Sequence, residues 1–401
     1  MNILYFLRDN LPTFRVDILC LFGKYLPRIQ INSSIVGQMA EGDPQPVGWG
    51  GGFVYTFRSP KAPRVIRQIY AFFSHVCILI DKGKFYDAIQ VRNQYLFGLV
   101  ALIAARILDK PFFFWFSFPY PEDDLLRVKV HGASLGNFRM MFVFLRGCLS
   151  KLILYQILLR KADHIFVQSD RMLDDMVARG LNKETMTVVP MCVDFEMFNN
   201  IKLTPKRHKS HKDGKILVYL GSLNRVRNIN FLIDSFVKVL EKKPKTYFLM
   251  VGDASEKQDS KWLKNIIISK QLQDKIFITG WLPMKNAWEF TMGADIGICA
   301  IPEGFTFDSM SPTKAVEYMA LGLPVVVNRQ PDQEKIIKES GGGLCVELDE
   351  NKFSDAIIRI LQDEHIARQM AEKGKSYVLA MRNYTAMASK VASVYQSFKR
   401  V

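Results

Sequence analysis

The chain has 401 residues, 49% of them hydrophobic, and a formal net charge of +15 at pH 7. Its length exceeds what one ordinary core holds and suits two domains, and the apolar fraction excludes a disordered chain. The positive charge favours a polyanionic partner (nucleic acid, an anionic membrane face or a phosphorylated substrate) without choosing among them.

From the N-terminus, Asn2 to Leu7 reads as a strand, Asn10 to Thr13 as a turn and Phe14 to Leu26 as a helix. MNILYFLRDN has neither a basic leader region nor a cleavage site of small residues. Gln45 to Phe53, QPVGWGGGF, is a glycine-rich loop without the Lys-Ser/Thr of a P-loop, and no G-x-G-x-x-G follows the first strand, which argues against a dinucleotide. Tyr86 to Arg92 is a strand, and Asn93 is placed to cap a helix from Tyr95 to Leu108. Pro111 to Phe118 is a central strand by its aromatic density, and PYPEDD after it reads as a loop. No uncharged apolar run reaches the roughly 18 residues a membrane span needs. From Leu125 to Ala162 there is no Asp or Glu, while Arg146, Lys151 and other cations alternate with apolar clusters, a pattern that suits a surface helix on anionic lipid or a buried helix with a basic edge. Ala162 to Ser169 is a strand in which His164 is a structural residue rather than a ligand, and a helix runs from Asp170 to Gly180.

Lys202 to Lys215 is charged, aperiodic and contains Pro and Gly, so it reads as a linker. It lacks the interleaved aromatics of a nucleic-acid site, and no nucleic-acid partner is expected. Strands then alternate with helices: Ile216–Leu220, Tyr247–Val251, Lys275–Thr279, Asp295–Cys299, Pro324–Val327 and Gly343–Val346 are strands, which predicts a mostly parallel sheet covered by helices. The six cysteines show no C-x-x-C and no metal-ligand spacing with His, so buried free thiols in a reducing compartment are expected.

Two stretches carry chemistry. In Ile301 to Arg329, Ser311 can cap a helix with Pro312 at its first position, and Thr313 to Ala320 follows before a turn and the strand Val325-Val326-Val327. A helix N-terminus beside a loop in an α/β unit suits a phosphate, and Lys314 adds a cation that the helix dipole alone disfavours. Glu317 lies one turn on, on the same face. An ordinary capped helix with Lys314 and Glu317 as a solvated pair is the plainer alternative. In Leu220 to Asn228, Gly221 permits close backbone approach, and Arg225 and Arg227 precede a helix with fork-shaped donors for phosphate oxygens.

SPTKAVEYMALGLPVVV resembles the nucleotide-sugar motif of glycosyltransferase family 4, and LGSLNRVRN resembles that family's G-R-L-x-x-x-K-G. The passages ADHIFVQS and VVPMCVD are similar to the family's end of the N-terminal domain. The resemblance implies an α/β, GT-B protein with two Rossmann-like domains facing a deep interdomain cleft. The first would span 1–198, the second 199–379, and a C-terminal helix in 380–401 would return to the first. It implies transfer of a sugar from a nucleotide-diphosphate donor to a hydroxyl of a glycan or lipid-linked acceptor, in polysaccharide or glycoconjugate biosynthesis, with retention and without a metal or other cofactor.

In that reading Glu317 binds the donor ribose, and Arg227 and Lys314 meet the diphosphate. Gly221, Ser222, Arg225, Gly252, Trp281, Leu282, Ser311, Pro312 and Thr313 surround the donor. The family's usual second Glu is Ser309 here, and Glu303 or Asp308 could replace it. The usual His at the end of the aromatic strand is Ser117. Asn10, Arg15, Asp17, Ser117 and Glu122 are candidates on the acceptor side, with turn and cap roles as the alternative. The expected location is cytoplasmic, on the inner membrane face through residues 125–161. A nucleotide-sugar epimerase and a basic nucleic-acid-binding protein remain the competing classes.

Overall fold

The computed structural model describes residues 1–13, 15–39, 48–135, 137–207 and 214–399. Phe14, the start of the glycine loop at 45–47 and the linker core at 208–213 lie outside the described residues. The chain divides into two compact units, Met1–Pro190 with Tyr384–Val401, and Met191–Asn383. The first division precedes the expected 198/199 boundary, because Val193 bridges to Asn383 and the Met191 amide donates to Ser311 Oγ at 2.9 Å, tying that stretch into the second unit. The second falls after 379/380, since Arg382 is buried with Asp332 in the second unit.

Among the described residues the first unit carries seven parallel strands: β1 (Asn2–Phe6), β2 (Asn32–Gln38), β3 (Val54–Phe57), β4 (Ala88–Arg92), β5 (Phe112–Phe116), β6 (His164–Val167) and β7 (Met186–Val188). Their order is β3-β2-β1-β4-β5-β6-β7. β5 is buried on both faces and shows why the sheet is hydrophobic throughout. Phe112, Phe114 and Phe116 join the core under the helices that follow β3, β4 and β5, while Phe113 meets Tyr395 of the chain's last helix, Tyr384–Ser397, and Trp115 meets Phe166.

The helices of this unit are α1 (Leu26–Arg28), α2 (Arg64–Lys82), α3 (Tyr95–Ile107), α4 (Tyr120–Leu135), α5 (Asn137–Leu152), α6 (Leu159–Lys161) and α7 (Asp170–Ala178). Residues Asp17–Tyr25, expected as an α-helix, form wider π-type turns. α4 begins inside PYPEDD, which the sequence places in a loop; Glu122 and Asp123 fall in its first turn, where carboxylates suit the helix dipole. Asn93 does not cap α3. It adopts φ +49° and bonds Ser117 through both side-chain atoms, and Gln94 takes the cap position.

Met140–Lys161 is long and apolar enough, by length and composition, to cross a membrane, which corrects the reading from uncharged runs alone. Its second half, with Ile153, Leu154, Leu158 and Leu159, is buried in the first unit's core. Cys20, Cys192 and Cys299 are buried, but Cys77 and Cys148 are exposed. His164 bonds Thr187 Oγ1 at 2.8 Å, and burial pushes its imidazole down to about 4.

The second unit holds β8 (Lys215–Leu220), β9 (Thr246–Val251), β10 (Ile276–Ile278), β11 (Ile296–Cys299), β12 (Val325–Asn328) and β13 (Gly343–Val346), parallel, in the order β10-β9-β8-β11-β12-β13. Its helices are α8 (Phe195–Asn200), α9 (Ile229–Lys242), α10 (Lys257–Ser269), α11 (Met284–Met292), α12 (Phe305–Asp308), α13 (Thr313–Ala320), α14 (Pro331–Ser340), α15 (Glu350–Gln362) and α16 (Glu364–Met381). Alternate residues of β8 feed two cores. Leu217 and Tyr219 join Ile233, Phe236 and Ile357 on one face, and Val218 joins Ala315, Met319 and Val325 on the other. The chain leaves β8 toward β9 and later returns to β11 on its other side, so a switch point opens at the carboxyl ends of β8 and β11.

Gly221 and Gly252 end β8 and β9 with φ +130° and +140°. A Cβ on Gly252 would lie 2.1 Å from the Gly221 carbonyl oxygen, a distance no side chain tolerates. Gly252→Ala should therefore destabilise the protein by about 2–3 kcal/mol through clash and backbone strain. A thermal melt showing an unchanged midpoint for that variant would contradict the packing described.

Candidate functional site

The switch point of the second unit is built from β8, its following turn and α13. Leu220 donates its amide to Tyr318 Oη at 2.8 Å, which fixes the end of β8 against α13. Gly221 then leaves space that Lys314 fills: a Cβ on Gly221 would lie 3.3 Å from Lys314 Cε and Nζ. The Lys314 ammonium sits 5.1 Å from the Tyr219 ring centroid. Arg227 closes a short 3-10 turn, Arg225–Arg227, near enough to repel that ammonium. Burial opposes the Lys314 charge, but Tyr219, Cys299 and Glu317 offset it, so its pKa is raised and it is a cation at neutral pH. Glu317 is pushed above the ordinary carboxylate range by burial, with Lys314 pulling the other way.

α13 starts one residue later than the sequence suggests. Pro312 occupies the cap position and offers no side-chain cap bond. Ser311 is committed elsewhere, donating to Asp332 Oδ2 at 2.7 Å while accepting the Met191 amide. Asp332 in turn holds Arg382 at 2.5 Å, both buried. The first amides of α13 therefore face the switch point without a capping side chain, beside two cations that have no ion pair among the described residues. This arrangement suits an anion. Ser222 adds a buried hydroxyl with no hydrogen-bond partner among the described residues.

Several candidates lie otherwise than expected. Arg225 is drawn away from Lys314 by Asp259 at 3.2 Å and by the Trp262 face at 5.2 Å, so it does not stand in for the missing arginine at Ser222. Ser309 is buried and donates to the Phe305 carbonyl at 2.9 Å, inside its own short helix. Glu303 is exposed on the loop before α12, and Trp281 is 61% exposed beside the half-buried Leu282. Thr313 and Pro312 lie at the α13 start.

Residues not singled out from sequence shape the loop. Asn328 grips Ile301 through both its oxygen and nitrogen, and Gln330 donates to the carbonyls of Phe307, Asp308 and Met310. Two buried polar residues, one closing the β-branched strand β12 and one just beyond it, are the signal that could have found them.

In the first unit, Ser117 is buried and saturated by Asn93, with Nδ2 donating to its Oγ at 2.6 Å. Arg15 pairs with Asp9 at 2.8 Å, and Asp17 with the buried Arg92 at 2.6 Å. Glu122 is raised by burial, near Tyr155, Lys151 and Arg179. Asn10 lines a pocket at the carboxyl ends of β1 and β4.

Residues 200–377 match the model of the family "Glycosyl transferases group 1". That segment contains Gly221, Arg227, Lys314 and Glu317. The putative glycosyltransferase YtcC of Bacillus subtilis is 23% identical over 206 residues, 49% of this chain and 49% of that one. The chain thus spans about half the length of the first curated relatives it matches. The capsular polysaccharide biosynthesis glycosyltransferase CapM of Staphylococcus aureus is 21% identical over 318 residues, 75% of this chain and 74% of that one. Among solved structures, HepE of Anabaena in complex with UDP superposes with a TM-score of 0.70 at 14% identity, covering 99% of this chain and 100% of that one. The fold is GT-B, with two Rossmann-like domains.

The Glu317 carboxylate sets a testable pH dependence. Its raised pKa means that the protonated form is favoured by folding, and that stability is lost as pH rises through the folded-state value. Glu317→Gln, which stays neutral, should raise the melting temperature of the ligand-free protein at pH 8 and change it little at pH 4. An equal shift at both pH values would place Glu317 in water.

Proposed function

We propose that the protein is a glycosyltransferase that moves a sugar from a nucleotide-diphosphate donor to a hydroxyl of a glycan or lipid-linked acceptor. The observation that carries this is the pair Arg227 and Lys314, without ion-pair partners among the described residues, at the uncapped N-terminus of α13. The group 1 match over the same residues, and the UDP and UDP-glucose complexes of the structurally similar HepE, support it.

In this reading the bond from the anomeric carbon to the diphosphate breaks, the bond to the acceptor oxygen forms, and the hydroxyl proton passes to the departing phosphate. The negative charge grows on the leaving diphosphate. Arg227, Lys314 and the α13 amides meet it where it develops, in a site whose cations are already placed. Glu317 accepts hydrogen bonds from the donor ribose and so fixes the phosphate position. Two cations and a helix N-terminus supply the charge that a divalent ion provides elsewhere, which supports catalysis without a metal. Retention at the anomeric carbon rests on the family resemblance of SPTKAVEY. A cytoplasmic location on the inner membrane face is supported by the acid-free stretch from Leu125 to Ala162 and by outward-facing Met141, Phe144, Leu145 and Leu149 on α5.

Lys314→Ala and Arg227→Ala should each lower kcat by about a hundredfold, the cost of removing one transition-state donor. Glu317→Ala should raise the donor KM with the fold intact. Full kcat in both cation variants would move the phosphate site elsewhere. Activity should persist in EDTA, and product should form only when an acceptor is present; turnover of donor alone to a rearranged sugar would make it an epimerase. NMR of the product's anomeric proton reports retention or inversion.

A further inference from the structure

The first unit has a switch point of its own. The chain leaves β1 for β2 and returns to β4 on the other side, so the carboxyl ends of β1 and β4 diverge. A pocket of 580 Å³ lies there, bordered by Arg8, Arg67, His75, Gln94, Tyr120 and Arg146. The donor chemistry above uses none of these residues.

The pocket is built for an anion. Gln94 holds the cap position of the thirteen-residue α3 and makes no side-chain cap bond, so the first amides of α3 lack a capping side chain. Its Nε2 is buried without a hydrogen-bond partner among the described residues, and so is the Nε2 of His75, a residue only 5% exposed. His75 is ringed by Phe6, Phe57 and Phe97, and burial pushes it down to about 4, so it offers a neutral hydrogen bond at physiological pH. Arg8 is exposed and lies over the Tyr120 ring at 3.6 Å. Arg146 holds Asp124, the one carboxylate lining the pocket among the described residues, at 2.6 and 3.0 Å. The guanidinium groups of Arg8 and Arg67 border the same pocket, and with a helix N-terminus they suit a phosphate.

The surroundings say which phosphate. α2 lines the pocket with Gln68, Ala71 and Phe72, and directly beside them turns Ile69, Tyr70 and Phe73 outward, Phe73 with 60% of its surface exposed. α5 lines it with Arg146 and Ser150 and exposes Leu145 and Leu149 next to them. Asp81 is the only acidic residue on α2, α3 and α5. A soluble phosphate needs no apolar rim. A lipid does, because its phosphate sits directly above hydrocarbon, and an acid-poor rim meets little repulsion from an anionic bilayer.

We propose that this pocket takes the phosphate-bearing head of an anionic membrane lipid, with α2 and α5 set into the bilayer interface on either side. Resting on the glycosyl-transfer reading, that head belongs to the acceptor, and its hydroxyl is presented from this pocket.

The test is flotation of the full chain with phosphatidylcholine vesicles, with and without phosphatidylglycerol, whose head carries both a phosphate and hydroxyls. The protein should float only with phosphatidylglycerol. The double variant Arg8→Gln, Arg67→Gln should weaken binding about tenfold or more, as charge-assisted hydrogen bonds are lost. Lys183→Gln, a single charge removed just before the amino end of β7, should leave binding unchanged. Phe73→Glu should reduce flotation but not the melting shift produced by glycerol phosphate. An equal loss per charge in Lys183→Gln would reduce the site to diffuse attraction and overturn the proposal. So would a strong melting shift with glycerol phosphate and no flotation, which would mark a soluble ligand. The UDP-glucose melting shift, measured on the same preparation, separates the two readings: if it persists while flotation fails, this inference alone falls, and if it is absent, the donor reading fails.

Discussion

Two strand ends that tolerate no side chain set the geometry of the second unit. Gly252 packs against the Gly221 carbonyl, and Gly221 in turn leaves room for Lys314 beside its backbone. Placing an alkyl group at either point displaces a cation or parts two strands. The Tyr318 hydroxyl, accepting the Leu220 amide, holds the same strand end from the helix side. The anion site is thus a product of close backbone approach first and of charged side chains second. That order helps explain why Lys314 keeps its charge in a buried position: the strands bring Tyr219 and Cys299 to it, its own helix supplies Glu317, and these offset the cost of desolvation.

Much of this unit could be read from sequence because its signals are local. The helix Thr313–Ala320 and the strand beginning at Val325 follow from cap, stop and β-branched residues within one stretch. Ser311 shows where local rules end. Ser-Pro before a helix satisfies every capping preference, yet the hydroxyl is taken by Asp332, 21 positions away, under an Arg382 that lies 71 positions away. Arg225 was misplaced for the same reason, since Asp259 lies 34 positions on.

The first unit was less legible. β2 is NSSIVGQ, with few of the residues that mark a buried strand, and burial between β1 and β3 overrides that composition. α2 carries Val65, Ile66, Ile69 and Phe73 on its outward side, so its apolar residues do not by themselves mark the core face. The family match begins at residue 200 and does not extend over the first unit.

The last helix carries a consequence for how the protein is made. Tyr395 donates to Gln90 Oε1, a contact 305 positions apart, and Phe398 packs on Phe113 of the central strand. On a ribosome these partners emerge at opposite ends of synthesis. Part of one aromatic face of the N-terminal sheet is therefore covered by a segment made some three hundred positions after the strands it covers. The second unit, whose contacts are contained between Met191 and Asn383, needs no part of that helix.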